Sequence, residues 1–181
     1  TNITLEEWEE YLNYRRLQGF NALQINVLAQ WDSSLPYLYF PFKKDFSSFE
    51  LDEEYFDRAE KMIEVAKERG FIPALVLLWC NYVPDTWGSE RKMNPVMPLE
   101  VMENYVKYVV EKFSKFDPIW IISGDTNFGS EKTIDYYLTA LQIVKSISPD
   151  ALTTFHLNPP SDLPERIVAS SLLDFYMYQS G

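Results

Sequence analysis

Apolar positions along this chain switch repeatedly between two periods. Leu5, Trp8 and Leu12 recur at helical spacing behind Thr4, with Glu7 three residues after it, the signature of a reciprocal helix cap. Gly19 supplies the position just past that first helix. Residues 22–28 then form an apolar run of strand length. The pattern repeats. Phe56, Ala59, Ile63 and Ala66 stripe a helix over 52–69, Gly70 ends it, and residues 72–79 read as a strand buried on both faces. Pro73 fits only at the start of that strand, where a missing N–H is tolerated. Val101, Tyr105, Val109 and Phe113 mark a helix over 99–113, followed by Pro118 and a strand over 119–123. Ser130 caps a helix carrying Ile134, Leu138, Leu141 and Val144, and residues 152–156 are the next strand. A short helix over 164–169 and a strand over 172–178 complete the series.

Alternation of helices with nearly continuous apolar strands predicts an α/β fold with a parallel sheet. Two architectures satisfy it: part of a (β/α)8 barrel of the TIM type, or an open doubly wound α/β sheet. Helix-to-strand turns are short, around Gly19, Gly70, Asp117 and Pro149, whereas residues 29–51 and 80–97 form long aromatic strand-to-helix loops. Barrels place their sites on such loops. No Gly-rich phosphate turn follows any strand. Both points favour the barrel, and five strands cannot close one of eight. Residues 1–181 are therefore expected to be a single barrel domain truncated at both ends.

Composition narrows the chemistry. Sixteen Lys and Arg stand against 27 Asp and Glu, a net charge of −11. That balance disfavours nucleic acid and anionic membranes as partners. No apolar run approaches the ~20 residues of a membrane span. Cys80 is the only cysteine and His156 the only histidine, so no clustered metal-ligand spacing exists; neither metal nor cofactor is expected. Ser123 and Ser180 lack the elbow of a nucleophilic serine. Aromatic residues make up 16% of the chain, which suits either a packed core or a surface for sugar faces.

In a barrel the C-terminal strand ends carry the site. Here they present Gln30 and Trp31, Trp79 and Asn81, Asp125 and Asn127, His156, and Gln179. Asp125 follows a Trp-bearing strand and Gly124; it reads equally as a turn-forming Asp and as a working carboxylate. Asn127 shares that ambiguity. His156 reads as a hydrogen-bonded rim residue or as a ligand contact. Of Trp31, Trp79 and Trp87, at least one is expected to face a ligand.

Residues 15–30, Tyr55-Phe56-Asp57, residues 75–79 and residues 119–127 (Ile-Trp-Ile-Ile-Ser-Gly-Asp-Thr-Asn), with residues 153–156 and 178–181, resemble the apiosidase-like glycoside hydrolases. That family is similar to the retaining barrel glycosidases, whose acid/base stands at the end of strand four and whose nucleophile stands at the end of strand seven. The resemblance implies that the strands here are the second to sixth. It makes Asp125 the acid/base, with a raised pKa, in the cleavage of O-glycosidic bonds in plant or microbial polysaccharide. Gln30, Trp31, Trp79, Asn81, Asn127, His156 and Gln179 become substrate contacts. The nucleophile and the first strand would then lie beyond Gly181 and before Thr4, so the 181 residues alone are expected to be inactive. Their open edges would associate with the missing segments or with further copies. A non-catalytic carbohydrate-binding barrel and a small complete α/β domain for another ligand remain as alternatives.

Overall fold

A computed structural model of the protein describes residues 3–30, 41–44, 46, 49–92 and 95–179. Its elements are α1 (Leu5–Leu17), β1 (Ala22–Asn26), α2 (Glu53–Glu68), β2 (Ile72–Trp79), α3 (Trp87–Glu90), α4 (Leu99–Phe113), β3 (Ile119–Gly124), α5 (Glu131–Ile147), β4 (Thr153–Thr154) and α6 (Glu165–Val168). Two 3₁₀ turns, Cys80–Tyr82 and Ser114–Phe116, follow β2 and α4.

The caps form where the sequence places them. Thr4 and Glu7 cap α1 reciprocally, Asp52 caps α2, and Ser130 caps α5. Leu23 and Ile25 of β1 pack with Leu12, Val65, Ala66 and Phe71 beneath α1 and α2, while Gln24 faces away and is exposed. Pro73–Trp79 of β2 is buried throughout, as a central parallel strand requires. Trp120, Tyr105 and Tyr137 are the bulkiest fully buried side chains of the core.

Strand order decides between the two architectures. All pairings are parallel and the order is β1-β2-β3-β4, the order of the chain. Every crossover therefore steps in the same direction. Right-handed crossovers then put every helix on one face of the sheet. The helix layer bears this out. The Trp8 indole of α1 donates to the Met62 carbonyl of α2 at 2.9 Å. Phe56 of α2 meets Tyr108 of α4 edge-on at 5.1 Å, and Lys112 pairs with Asp57 at 2.7 Å. α4 packs on α5, and Arg166 of α6 pairs with Glu131 and Asp135 of α5. A doubly wound sheet reverses its order at a switch point and carries helices on both faces. The arrangement here is a stretch of barrel wall.

The fifth expected strand, 172–178, does not form. It contributes one parallel bridge, His156 with Met177. The cause lies in Asp174, whose carboxylate takes the Thr153 main-chain N–H at 2.8 Å, together with the Thr153 hydroxyl at 2.8 Å and Lys145 Nζ at 2.7 Å. A ladder donor of β4 is thereby diverted to a side chain. The sequence likewise gave no sign of α3 inside the loop 80–97: its cap pairs Thr86 with Ser89, where the usual signature has Glu or Gln.

Asp174 yields a measurable pH effect. Burial pushes its pKa up, but hydrogen bonds from Lys145 and Thr153 outweigh that and hold it below the ordinary value. A lowered carboxyl pKa stabilises the fold above its unfolded-state value of about 3.9 and loses that contribution as pH falls through the folded value. Asp174→Ala is expected to cost about 1–2 kcal/mol at pH 6, since it strands the buried Thr153 N–H. The gap between wild type and variant in denaturant unfolding should shrink at pH 3. A gap independent of pH would contradict the assignment.

Candidate active site

β2 and β3 run in register to their C-terminal ends, with Leu78 opposite Ser123 and Trp79 opposite Gly124. On the other side of β3 the register slips. Trp120 and Ile121 pair with Thr153 and Thr154, yet the next bridge joins Thr126 to Leu157. Gly124 and Asp125 are taken up as a bulge, a device that bends a strand and re-aims a side chain. The His156 N–H donates to the Ser123 carbonyl at 3.3 Å, and the Thr126 N–H to the His156 carbonyl at 3.2 Å, so the bulge is fastened on both sides.

Gly124 is dictated by Trp79. A Cβ at 124 would lie 2.0 Å from Trp79 Cε3. With glycine there, the indole lies across the strand, and the chain turns out at Asp125 with φ of 49°. This left-handed conformation is uncommon for residues other than glycine, although Asp tolerates it better than most. The Asp125 carboxyl is half-buried, and that burial raises its pKa; the charge of His156 acts in the opposite direction and offsets part of the rise. Burial disfavours the charged form because the interior solvates it poorly.

Trp79, His156 and Gln179 come together at the strand ends, with the Asp125 carboxyl near enough to His156 to feel its charge. The Trp79 and His156 rings meet edge-on at 5.8 Å, and His156 Nε2 lies 3.1 Å from Gln179 Oε1. His156 Nδ1 is buried and has no hydrogen-bond partner among the described residues. The remaining expected contacts sit elsewhere. Asn127 Oδ1 accepts the Trp87 main-chain N–H at 2.8 Å. Asn81 is 1% exposed, in the 3₁₀ turn packed under Gly88. Gln30 lines a groove of about 740 Å³ between α1, α2 and β1, the edge strand among the described residues, with Trp8, Leu23, Tyr55 and Tyr82. The groove is mostly apolar and does not include Asp125. Trp31 and Ser180 lie outside the described residues.

Two contacts in this region escape sequence reading. The Trp87 indole donates to the Asp125 carbonyl at 2.6 Å, and the Asp85 carbonyl closes over Gly129, where a Cβ would come within 2.0 Å of it. Neither contact has a local signature, because the partners are some 40 residues apart. Among the described residues no group of three or more His, Cys, Asp or Glu could hold a metal ion, and no helix is long and apolar enough to cross a membrane.

Residues 1–181 match the family model described as "Apiosidase-like, catalytic domain". No curated protein matches the chain. Among solved structures, a glycoside hydrolase family 5 protein from Bacteroides vulgatus is 22% identical, with a TM-score of 0.71 over 99% of this chain and 38% of its own. A putative glycoside hydrolase from the same organism is 22% identical, with a TM-score of 0.66 over 86% of this chain and 32% of its own. An endoglucanase of Pseudomonas stutzeri in complex with cellobiose is 12% identical, with a TM-score of 0.64 over 94% of this chain and 50% of its own. The chain thus spans between a third and a half of the length of these structures.

Proposed function

Since this chain belongs to the apiosidase-like catalytic-domain family, we propose that it forms part of a retaining glycosidase that cleaves O-glycosidic bonds in plant or microbial polysaccharide, with Asp125 as the general acid/base. The observation that carries this reading is a carboxyl carried on a strand-end bulge, its pKa raised by burial, near the imidazole of His156. A raised pKa keeps the acid form available for donation near the working pH.

The reaction runs in two steps. A substrate sugar sits at the strand-end rim by Asp125, with His156 and Gln179 within reach of its hydroxyls. Asp125 gives its proton to the glycosidic oxygen as the bond from that oxygen to the anomeric carbon breaks. A second carboxylate attacks the anomeric carbon from the opposite face and forms a glycosyl ester. The Asp125 carboxylate then takes a proton from water, whose oxygen displaces the ester. Two inversions give net retention. The second carboxylate must stand roughly 5–5.5 Å from Asp125. We place the nucleophile outside residues 1–181, and expect these residues alone to turn nothing over. The edge of β1, unpaired among the described residues, and the groove beside it then receive further polypeptide, from the same chain or another copy.

Proton NMR of the anomeric signals during hydrolysis by the native polypeptide that contains residues 1–181 tests the reading. The sugar first released should have the anomeric configuration of the substrate. Initial release of the opposite anomer would rule out the two-step mechanism.

A further inference from the structure

We infer that Trp87 is a positioning residue for Asp125, acting through the Asp125 main-chain carbonyl, with Asn127 holding Trp87 in place. The inference rests on Asp125 being the acid/base.

An aspartate held at positive φ returns to commoner conformations unless its neighbours prevent it. Its side-chain direction follows its backbone, so whatever pins the backbone also aims the carboxyl. The Trp87 indole N–H, which can only donate, ends on the Asp125 carbonyl at 2.6 Å. The Trp87 main-chain N–H is one of the orphan donors at the start of α3, and it ends on Asn127 Oδ1 at 2.8 Å. One residue thus grips the turn at 125 and is itself gripped from 127. The Thr126 hydroxyl donates to the Asn127 carbonyl at 2.9 Å and stiffens the segment between.

The element that carries Trp87 is fixed in turn. Gly88 sits so close to the 3₁₀ turn after β2 that a Cβ would lie 2.5 Å from Cys80 Sγ. Thr86 caps α3 reciprocally with Ser89. The Ser130 hydroxyl donates to Asp85 Oδ2 at 2.7 Å, and the Thr133 hydroxyl to the Pro84 carbonyl at 2.8 Å. The loop after β2 is therefore fastened to the start of α5 as well as to the bulge. Arg91 lies over the Trp87 ring at 4.8 Å, so one face of the indole and its N–H are both engaged within the protein. The Trp87 main-chain N–H bound to its Oδ1 gives Asn127 a part in supporting the acid.

The test is Trp87→Phe in the native full-length polypeptide, which keeps a ring and removes the N–H. Two substrates sharing one glycone are compared, one with an alkyl alcohol leaving group that needs protonation and one with a dinitrophenolate that does not. With the alkyl substrate kcat is expected to fall about 10- to 100-fold, the range for a misaimed catalytic group, with KM within about twofold. With the dinitrophenyl substrate the cleavage step is expected to be nearly unchanged. Asn127→Ala, which leaves the indole in place, should give the same split to a smaller extent. An equal fall on both substrates would mean a merely structural role and overturn the inference. A raised KM with kcat preserved would make Trp87 a sugar contact and also overturn it. Asp125→Ala is run in parallel. If that variant discriminates between leaving groups and Trp87→Phe does not, only the positioning role falls. If Asp125→Ala does not discriminate, the acid/base reading falls and takes this inference with it.

Discussion

Asp125→Ala in the native full-length polypeptide is expected to lower kcat/KM on substrates with poor leaving groups about 10²- to 10⁴-fold, the contribution of a well-placed general acid. A dinitrophenyl glycoside should be cleaved nearly as fast in the first step, because its leaving group departs without a proton. The glycosyl ester should then accumulate, since water loses its general base. The pH profile follows from the same carboxyl. Its pKa lies above the ordinary aspartate value because the bulge half-buries it. Donation needs the protonated form, so wild-type kcat/KM should decline as pH rises through that pKa. In the alanine variant this alkaline limb should disappear. Uniform loss across leaving groups, with the limb intact, would assign Asp125 to the bulge alone.

The second large effect concerns Gly124. Gly124→Ala would drive a methyl group to 2.0 Å from Trp79 Cε3 and 2.6 Å from Cδ2. Trp79 is 8% exposed and abuts His156, so the indole has little room to yield. The expected loss is about 3 kcal/mol, the upper part of the overpacking range. For a chain of this size that is roughly 6–12 °C in Tm. Activity should fall further than stability explains, because a displaced Trp79 or β3 re-aims Asp125. Gly19→Ala is the matched control: φ is 84° but nothing lies within 4 Å of the added Cβ. Backbone strain alone should cost about 1–2 kcal/mol there. Equal effects at both positions would contradict the steric role of the Trp79 contact at Gly124.

The legible parts of this protein share one property: their cause is local. The α2 and α4 stripes, the caps at Thr4 and Ser130, and the doubly buried β2 could be read from neighbouring residues, and they form as expected. The preference for a barrel over a doubly wound sheet rested on the asymmetry of the loops and the missing Gly-rich turn, and the strand order agrees with it. Residues 172–178 misled because their composition suits a strand, while a side chain outside the apolar pattern, Asp174, claims the hydrogen bond a strand would need. The same division runs through the site. Asp125 stood out because a glycine and an acid follow an apolar strand. Asn127 shared its ambiguity between turn and site, and its Oδ1 accepts the Trp87 amide, 40 residues away. Asn81 is a polar strand-end residue that the 3₁₀ turn places inside the protein. Sequence position marks the rim of a barrel well; which rim side chains face outward is set by contacts between loops.

The central claim is that Asp125 delivers and removes the proton in a two-step retaining cleavage. The most direct measurement is azide rescue of Asp125→Ala on a dinitrophenyl glycoside. Azide attacks the glycosyl ester without needing a general base, in the space the carboxyl vacates. Turnover is expected to rise with azide concentration, and the product to be a glycosyl azide with the anomeric configuration of the substrate. No acceleration, or a glycosyl azide of inverted configuration, would contradict the central claim.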